Sequence, residues 1–436
     1  MSLVRGQVGF RTAAALVVAN IIGTGIFTTT GFLASDVPSP VGILIAWAIG
    51  GVLALCGALS YGELAAAMPQ SGGEYHYLSK IYHPALGFLS GFVSLFAGFA
   101  APIAASATAF AKHFHIVVPS VPEPVAALLI IVMMTFLHTR DLHLGSRTQN
   151  VFTLAKITLI VGFIICGFWF GKASEGFSLS FRGDEFSLLT SGKFAVGLIF
   201  ISFAYSGWNA AAYIAGEVRD PEKNVPKALI SGTGMVIVLY LLLNLVFVYT
   251  LTIPEMQGKL AIGDLSARAI FGDVGGSVVS TLIALALVSS VSSMVMAGPR
   301  ITAAMGRDVP GLHWLGKNNK RGLPLNAFLV QLVLSVTYVL TASFEQTLQY
   351  IGFTLSLFAF LTVLGVFVYP FKYPEWAPKR RSPGYPVAPA LFLLLSAWIV
   401  IHTILENPMT ALAGFGTILL GLIIYFATNQ QKKKII

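Results

Sequence analysis

Three stretches of this chain combine residue types and spacing that can do chemistry inside apolar sequence. They are Ile21-Ile22-Gly23-Thr24-Gly25-Ile26-Phe27, Phe203-Ala204-Tyr205-Ser206-Gly207-Trp208-Asn209, and a lone lysine in Phe152-Thr153-Leu154-Ala155-Lys156-Ile157-Thr158. Glycine costs about 1 kcal/mol against alanine in a helix interior, so the pair Gly23 and Gly25 marks a place where a helix unwinds cheaply. In hydrocarbon the freed N–H and C=O groups are tolerated only where the break faces a cavity or a ligand. One small-x-small pattern reads as close helix packing. Two glycine-interrupted spans, the first and the sixth, point instead to a binding site between inverted repeats.

A broken helix offers amides to an anion at one end and carbonyls to a cation at the other. The amides of Thr24, Gly25 and Ile26, with the Thr24 hydroxyl, can hold a carboxylate. The carbonyls of Ile21, Phe203, Ala204 and Ser206 can accept from an ammonium. The ligand so described carries both charges on one carbon, an α-amino acid. No Asp or Glu falls in the central part of spans one, three, six, eight or ten, which favours a neutral side chain.

Lys156 lies about a turn into the fifth span, where a charge costs several kcal/mol unless partnered. Either it snorkels to the cytoplasmic surface, or its ammonium reaches carbonyls of the first broken helix and a hydroxyl among Ser289, Ser290, Ser292 and Ser293, where a sodium ion would otherwise sit. Glu63, near the end of the second span, is either a satisfied helix-end carboxylate beside basic loops or a proton carrier. Phe203 flanks the sixth-span break and can cover a ligand; Trp208, with Asn209, can block an exit.

These residues need membrane helices to position them. Of 436 residues 56% are hydrophobic and 10% charged, against about 25% charged in soluble domains. Apolar runs of about 20 residues or more define an all-α integral membrane protein. Twelve spans are expected, at 10–33, 41–67, 85–111, 122–138, 149–171, 193–216, 227–251, 275–304, 325–342, 346–370, 386–403 and 409–427. They form a single membrane domain: a first repeat at 10–171, a second at 193–370, and two additional helices at 386–427. The net charge of +9 is spread over short loops, which argues against nucleic acid; with the N-terminus inside, most of the 27 Lys and Arg residues, Lys432 to Lys434 among them, fall in the cytoplasm, as do both termini. The inner loop Met68–Tyr77, with Gly72, Gly73 and Glu74, is a plain turn or a segment that moves with transport.

Cys56 and Cys166 both lie in apolar segments, so no disulfide framework is expected. The histidines are scattered, with His113, His115 and His138 read as loop or interface residues. No nucleophile, metal set or cofactor loop is apparent, so neither an enzyme nor a cofactor is expected.

The chain resembles the amino acid–polyamine–organocation superfamily, and among its members the prokaryotic relatives of L-type amino acid transporter light subunits. The matching motifs are the stretches at 21–27 and 203–209, Tyr61-Gly-Glu63-Leu with Ser71-Gly-Gly-Glu-Tyr75, Lys156 in its Thr-x-x-Lys setting, Gly216 to Ala228, Tyr240 with Asn244, and Arg300 with Met305 to Asp308. The resemblance implies a five-plus-five inverted-repeat fold plus two helices, alternating access, and sodium-independent transport, often by exchange. It puts the carboxylate on Thr24 and Gly25, the amine on carbonyls of Ile21, Phe203 and Ser206, a gate at Phe203, and Lys156 in place of sodium. Two departures matter. Ser206 stands where glycine is commoner, which narrows the pocket, and the outer loop at 112–122 lacks the cysteine that bonds a heavy chain in animal members. The expected function is exchange of neutral L-amino acids. Proton-coupled symport is the alternative within the class; a channel or a membrane-embedded sensor lies outside it.

Overall fold

The computed structural model describes residues 8–140, 146–181, 183–320, 322–374 and 381–433; Lys434 of the basic tail lies outside them. The first span is two helices, α1 (Phe10–Ile21) and α2 (Gly25–Asp36), bent by 42° at their junction. α3 (Pro40–Ala67) starts where the Ser39 hydroxyl accepts from the Gly42 N–H and Pro40 occupies a position that needs no donor. The loop after α3 turns at 69–72 and continues as a helix, α4 (Gly73–Ile81).

The third span runs continuously through α5 (Pro84–Val93), a π-helical stretch Ser94–Ala100, and α6 (Ala101–Val117). Pro102 follows the π turns, where a missing N–H disrupts least. Next come α7 (Glu123–Arg140), α8 (Ser146–Phe170) and the short α9 (Gly183–Leu189).

The stretch expected as the sixth span contains α10 (Gly192–Ala204) and α11 (Ala210–Tyr213), separated by turns at 205–209. α12 (Pro221–Thr250) and α13 (Ile253–Met256) lead to α14 (Ile262–Asp308), which is kinked at Gly272, where φ is 72°. The chain finishes with α15 (His313–Gly316), α16 (Leu325–Thr341), α17 (Phe344–Lys372), α18 (Val387–Glu406) and α19 (Pro408–Lys433).

Among the described residues, nine helices are long and apolar enough to cross a membrane, a tenth span is the bent pair α1–α2, and α10 and α16 are shorter apolar helices. α12 is the central strut, packed along both α1 and α3, while α6 lies along α14. One buried cluster joins α1, α3, α10 and α12; a second joins the third span to α10 and α17.

Outside the bundle centre, α2 carries a loop. The Gly31 carbonyl accepts from the Gly258 N–H (2.9 Å), Gln257 Nε2 donates to the Ala34 carbonyl (3.3 Å), and a Cβ on Gly31 would stand 1.8 Å from the Lys259 carbonyl oxygen.

Two histidine assignments are corrected here. His113 is fully buried, because α6 runs on to Val117 rather than ending near 111. His138 is buried in α7 and meets Ser292 at 2.8 Å. His115, in the last turn of α6, approaches the Val121 carbonyl at 2.9 Å.

Candidate functional site

The two breaks meet face to face. A Cβ on Gly25 would stand 2.5 Å from the Ala204 Cα, so glycine at 25 is what lets the start of α2 touch the end of α10. Gly207, at φ 96°, lies against Asn20 so closely that a Cβ would be 2.8 Å from the Asn20 carbonyl oxygen. Gly23 by contrast has open space around it, with the Ile21 oxygen 3.9 Å from where its Cβ would be. That combination brings backbone from both breaks into contact. The N–H groups of the N-cap Thr24 and of Gly25 and Ile26, at the start of α2, are among those that a helix leaves without partners of its own.

Side chains from other helices hold the first break open. Tyr240 of α12 donates to the Ile21 carbonyl (2.8 Å) and takes the Gly23 N–H as a second partner, so one hydroxyl bridges the missing turn. Asn244, one turn along, receives the Thr30 hydroxyl of α2 and donates to the Tyr240 carbonyl. Trp47, Tyr205 and Tyr240 pack ring against ring behind the break, and Tyr205 donates to the Trp47 carbonyl (3.2 Å). The Thr24 hydroxyl lies 2.7 Å from that of Ser106 on α6, both buried. Only one proton is used between two hydroxyls, which leaves the pair able to donate another.

Lys156 is 4% exposed and does not reach the surface; its ammonium donates to Ser290 Oγ (2.8 Å) and to the Ile22 carbonyl (3.3 Å). Of the four candidate serines, Ser290 is the partner. Ser289 donates to Ala286 and Ser293 to Ser289 within α14, and Ser292 faces His138. The sequence grouped them because they share one and a half turns; rotation of α14 separates them.

The sixth break is closed by its own backbone: the Ser206 N–H donates to the Phe203 carbonyl (2.9 Å) and Ala210 to Gly207 (3.0 Å). The Phe203 ring is buried in the cluster with Ala97, Ala101 and Ala105 of the third span and Ile351 of α17. Trp208 stands edge-on to Tyr61 (4.7 Å) and Phe392, wedged over Gly57 of α3. Asn209 donates to Glu74 Oε1 (3.1 Å). Glu63 is far from this centre in chemistry: Arg381 pairs with it at 2.6 Å, the Ser382 N–H donates to it, and Tyr369 lies at 3.4 Å.

Ser106 and Glu74 are the functional candidates that sequence reasoning passed over. The signals were present as a hydroxyl in the alanine-rich run 100–111 and an acid directly after a glycine pair.

The chain matches the amino acid permease family over residues 8–428. The b(0,+)-type amino acid transporter 1 of Homo sapiens is 28% identical over 445 residues, covering 98% of this chain and 88% of that one. The mouse (Mus musculus) protein of the same name is 28% identical over 439 residues, with 96% and 87% covered. The Large neutral amino acids transporter small subunit 2 of Homo sapiens is 26% identical over 431 residues, with 96% and 80% covered. The chain belongs to the amino acid permease family, within the amino acid–polyamine–organocation superfamily and related to L-type light subunits: it is a multi-pass membrane transporter of amino acids, not an enzyme.

Proposed function

We propose that this permease exchanges neutral L-α-amino acids across the cytoplasmic membrane by alternating access and without sodium. The observation that carries the reading is the buried Lys156 ammonium between the Ile22 carbonyl and Ser290 Oγ. Carbonyl and hydroxyl oxygens are the ligands a sodium ion takes, and a fixed cation bonded there leaves transport no need for one. The substrate carboxylate sits on the amides of Thr24, Gly25 and Ile26 with the Thr24 hydroxyl beside Gly23, and the amine meets carbonyls of Ile21, Phe203, Ala204 and Ser206. Phe203 covers the ligand, and Trp208 with Asn209 closes the inner exit.

The bent pair and the two shorter apolar helices fit twelve spans when added to the nine long ones. On that count residues 10–171 and 193–370 are inverted repeats, 386–427 adds two helices, and both termini are cytoplasmic. The name of one relative contains "small subunit". This chain's two cysteines, Cys56 and Cys166, lie in α3 and α8 and the 112–122 loop has none, so we read it as working without a disulfide-linked heavy chain. Glu63 is charge-paired with Arg381 and has no role in this reading.

The test is uptake of labelled amino acids into proteoliposomes loaded with unlabelled amino acid, with and without sodium and a pH gradient. Uptake that requires internal amino acid and ignores sodium is expected. Accumulation driven by a proton gradient would establish symport instead, and uptake of no amino acid would sink the reading.

A further inference from the structure

Glu74 has no part in the substrate site, yet its side chain is the most deeply committed carboxylate near the inner end of the sixth-span break. It is the second residue of α4, between the second and third spans, and is 5% exposed. Its Oε1 accepts from the Tyr61 hydroxyl (2.6 Å) and from Asn209 Nδ2 (3.1 Å), and the Ser90 hydroxyl is a further partner. The same segment grips the break through its backbone. Gly72 N–H donates to the Tyr213 carbonyl (3.0 Å), Gly216 N–H donates to Ser71 Oγ (3.1 Å), and Gly73 lies so near the Tyr213 ring that a Cβ would be 2.7 Å away.

No cation balances the carboxylate among the described residues. The elements packed on α4 present Tyr61 with its Thr362 partner, Ser90, Tyr213 and Asn209. His76, Tyr77 and Lys80 belong to α4 itself; Lys372 is bound to the Ile81 and Tyr82 carbonyls, and Arg381 to Glu63. A buried, unpaired carboxylate is costly when charged, and hydrogen bonds offset only part of that cost. Burial accordingly raises the Glu74 carboxyl above its ordinary range, while the bonds from Tyr61, Asn209 and Ser90 pull it back.

We propose that Glu74 is a proton-binding site that controls the inner gate: protonated while packed against Asn209 and Tyr61, and ionised, its proton passed to cytoplasmic water, when the inner end of the sixth span swings away. The closed gate binds the proton more tightly than the open one. Acid therefore favours closure, and that advantage is lost as pH rises through the closed-state value. Because the proton enters and leaves on one side only, it alters how often the gate opens and drives no accumulation. The inference rests on the transport reading only for calling this contact a gate.

The experiment needs no transport. Ala211, fully buried in α11, is replaced by cysteine in the full chain, and its labelling by a water-soluble maleimide is followed from pH 5.5 to 8, with the unsubstituted chain as the blank for Cys56 and Cys166. Dividing each rate by that of the same chain carrying Glu74→Gln removes the thiol's own pH dependence. The ratio should rise about threefold or more with pH, and Glu74→Asp should keep the rise. A flat ratio overturns the proposal. If Glu74→Gln does not fold, Tyr61→Phe replaces it: loss of one donor to the carboxylate should move the labelling midpoint to higher pH, and an unmoved midpoint overturns the proposal equally. A chain that moves no amino acid but keeps the pH-dependent ratio would sink the transport reading and leave this one standing.

Discussion

The two breaks touch each other and are built on opposite plans. The first is held open by borrowed groups: Tyr240 from α12, Ser106 from α6, and Lys156 from α8 with Ser290 of α14. The sixth satisfies its own backbone through the Ser206–Phe203 and Ala210–Gly207 bonds; residues 71–74 bond the segment that follows it, and Tyr205 donates to the Trp47 carbonyl of α3. Backbone groups pinned from outside keep a fixed direction, which suits recognition of a ligand. A break that closes on itself can swing as a unit, which suits a gate. On the proposed function, recognition and movement are divided between two segments that look alike in sequence.

That division can be broken or sharpened by substitution. The largest effect is expected from Gly25→Ala, whose methyl would stand 2.5 Å from the Ala204 Cα and force the two breaks apart; transport should fall below detection with the protein still in the membrane. Lys156→Ala comes next. Hydrogen bonds to a charged group are worth about 1.5–3 kcal/mol, so transport should drop about ten- to a hundredfold while expression holds; wild-type rates would remove the lysine from the mechanism. Gly207→Ala puts a side chain at φ 96° and against Asn20, at a cost of about 1–2 kcal/mol. If the sixth break is the moving part, turnover should fall about tenfold with little change in KM, whereas an effect mainly on KM would erase the contrast. The smallest effect is Ser206→Gly, which widens the pocket. Preference should shift about threefold toward larger side chains, read as the ratio of kcat/KM for leucine over alanine.

The breaks were legible in sequence because the cost of unwinding is local: Gly23, Gly25 and Gly207 announce it by residue type alone. Lys156 was legible for a similar reason, since a charge in hydrocarbon must have a partner. Its partner was not, because Ser289, Ser290, Ser292 and Ser293 differ only in the rotation of α14 about its axis. The groups that hold the breaks were hidden further. Ser106 reaches Thr24 across 82 residues, Glu74 reaches Asn209 across 135, and Tyr240 reaches Ile21 across 219. Periodicity reports which face of a helix is apolar and says nothing of which helix lies opposite. His113 was misjudged for a simpler reason: α6 runs a turn and a half beyond its expected end, which carries an assumed loop residue into the bundle.

The loop at residues 257–259 is seated on α2 with no gap between them, because position 31 is glycine. On the proposed topology that loop is the extracellular end of the lever that shapes the substrate site. A binder clamped across residues 256–262 would act as a brake applied from outside the cell, slowing the carrier without competing for its substrate.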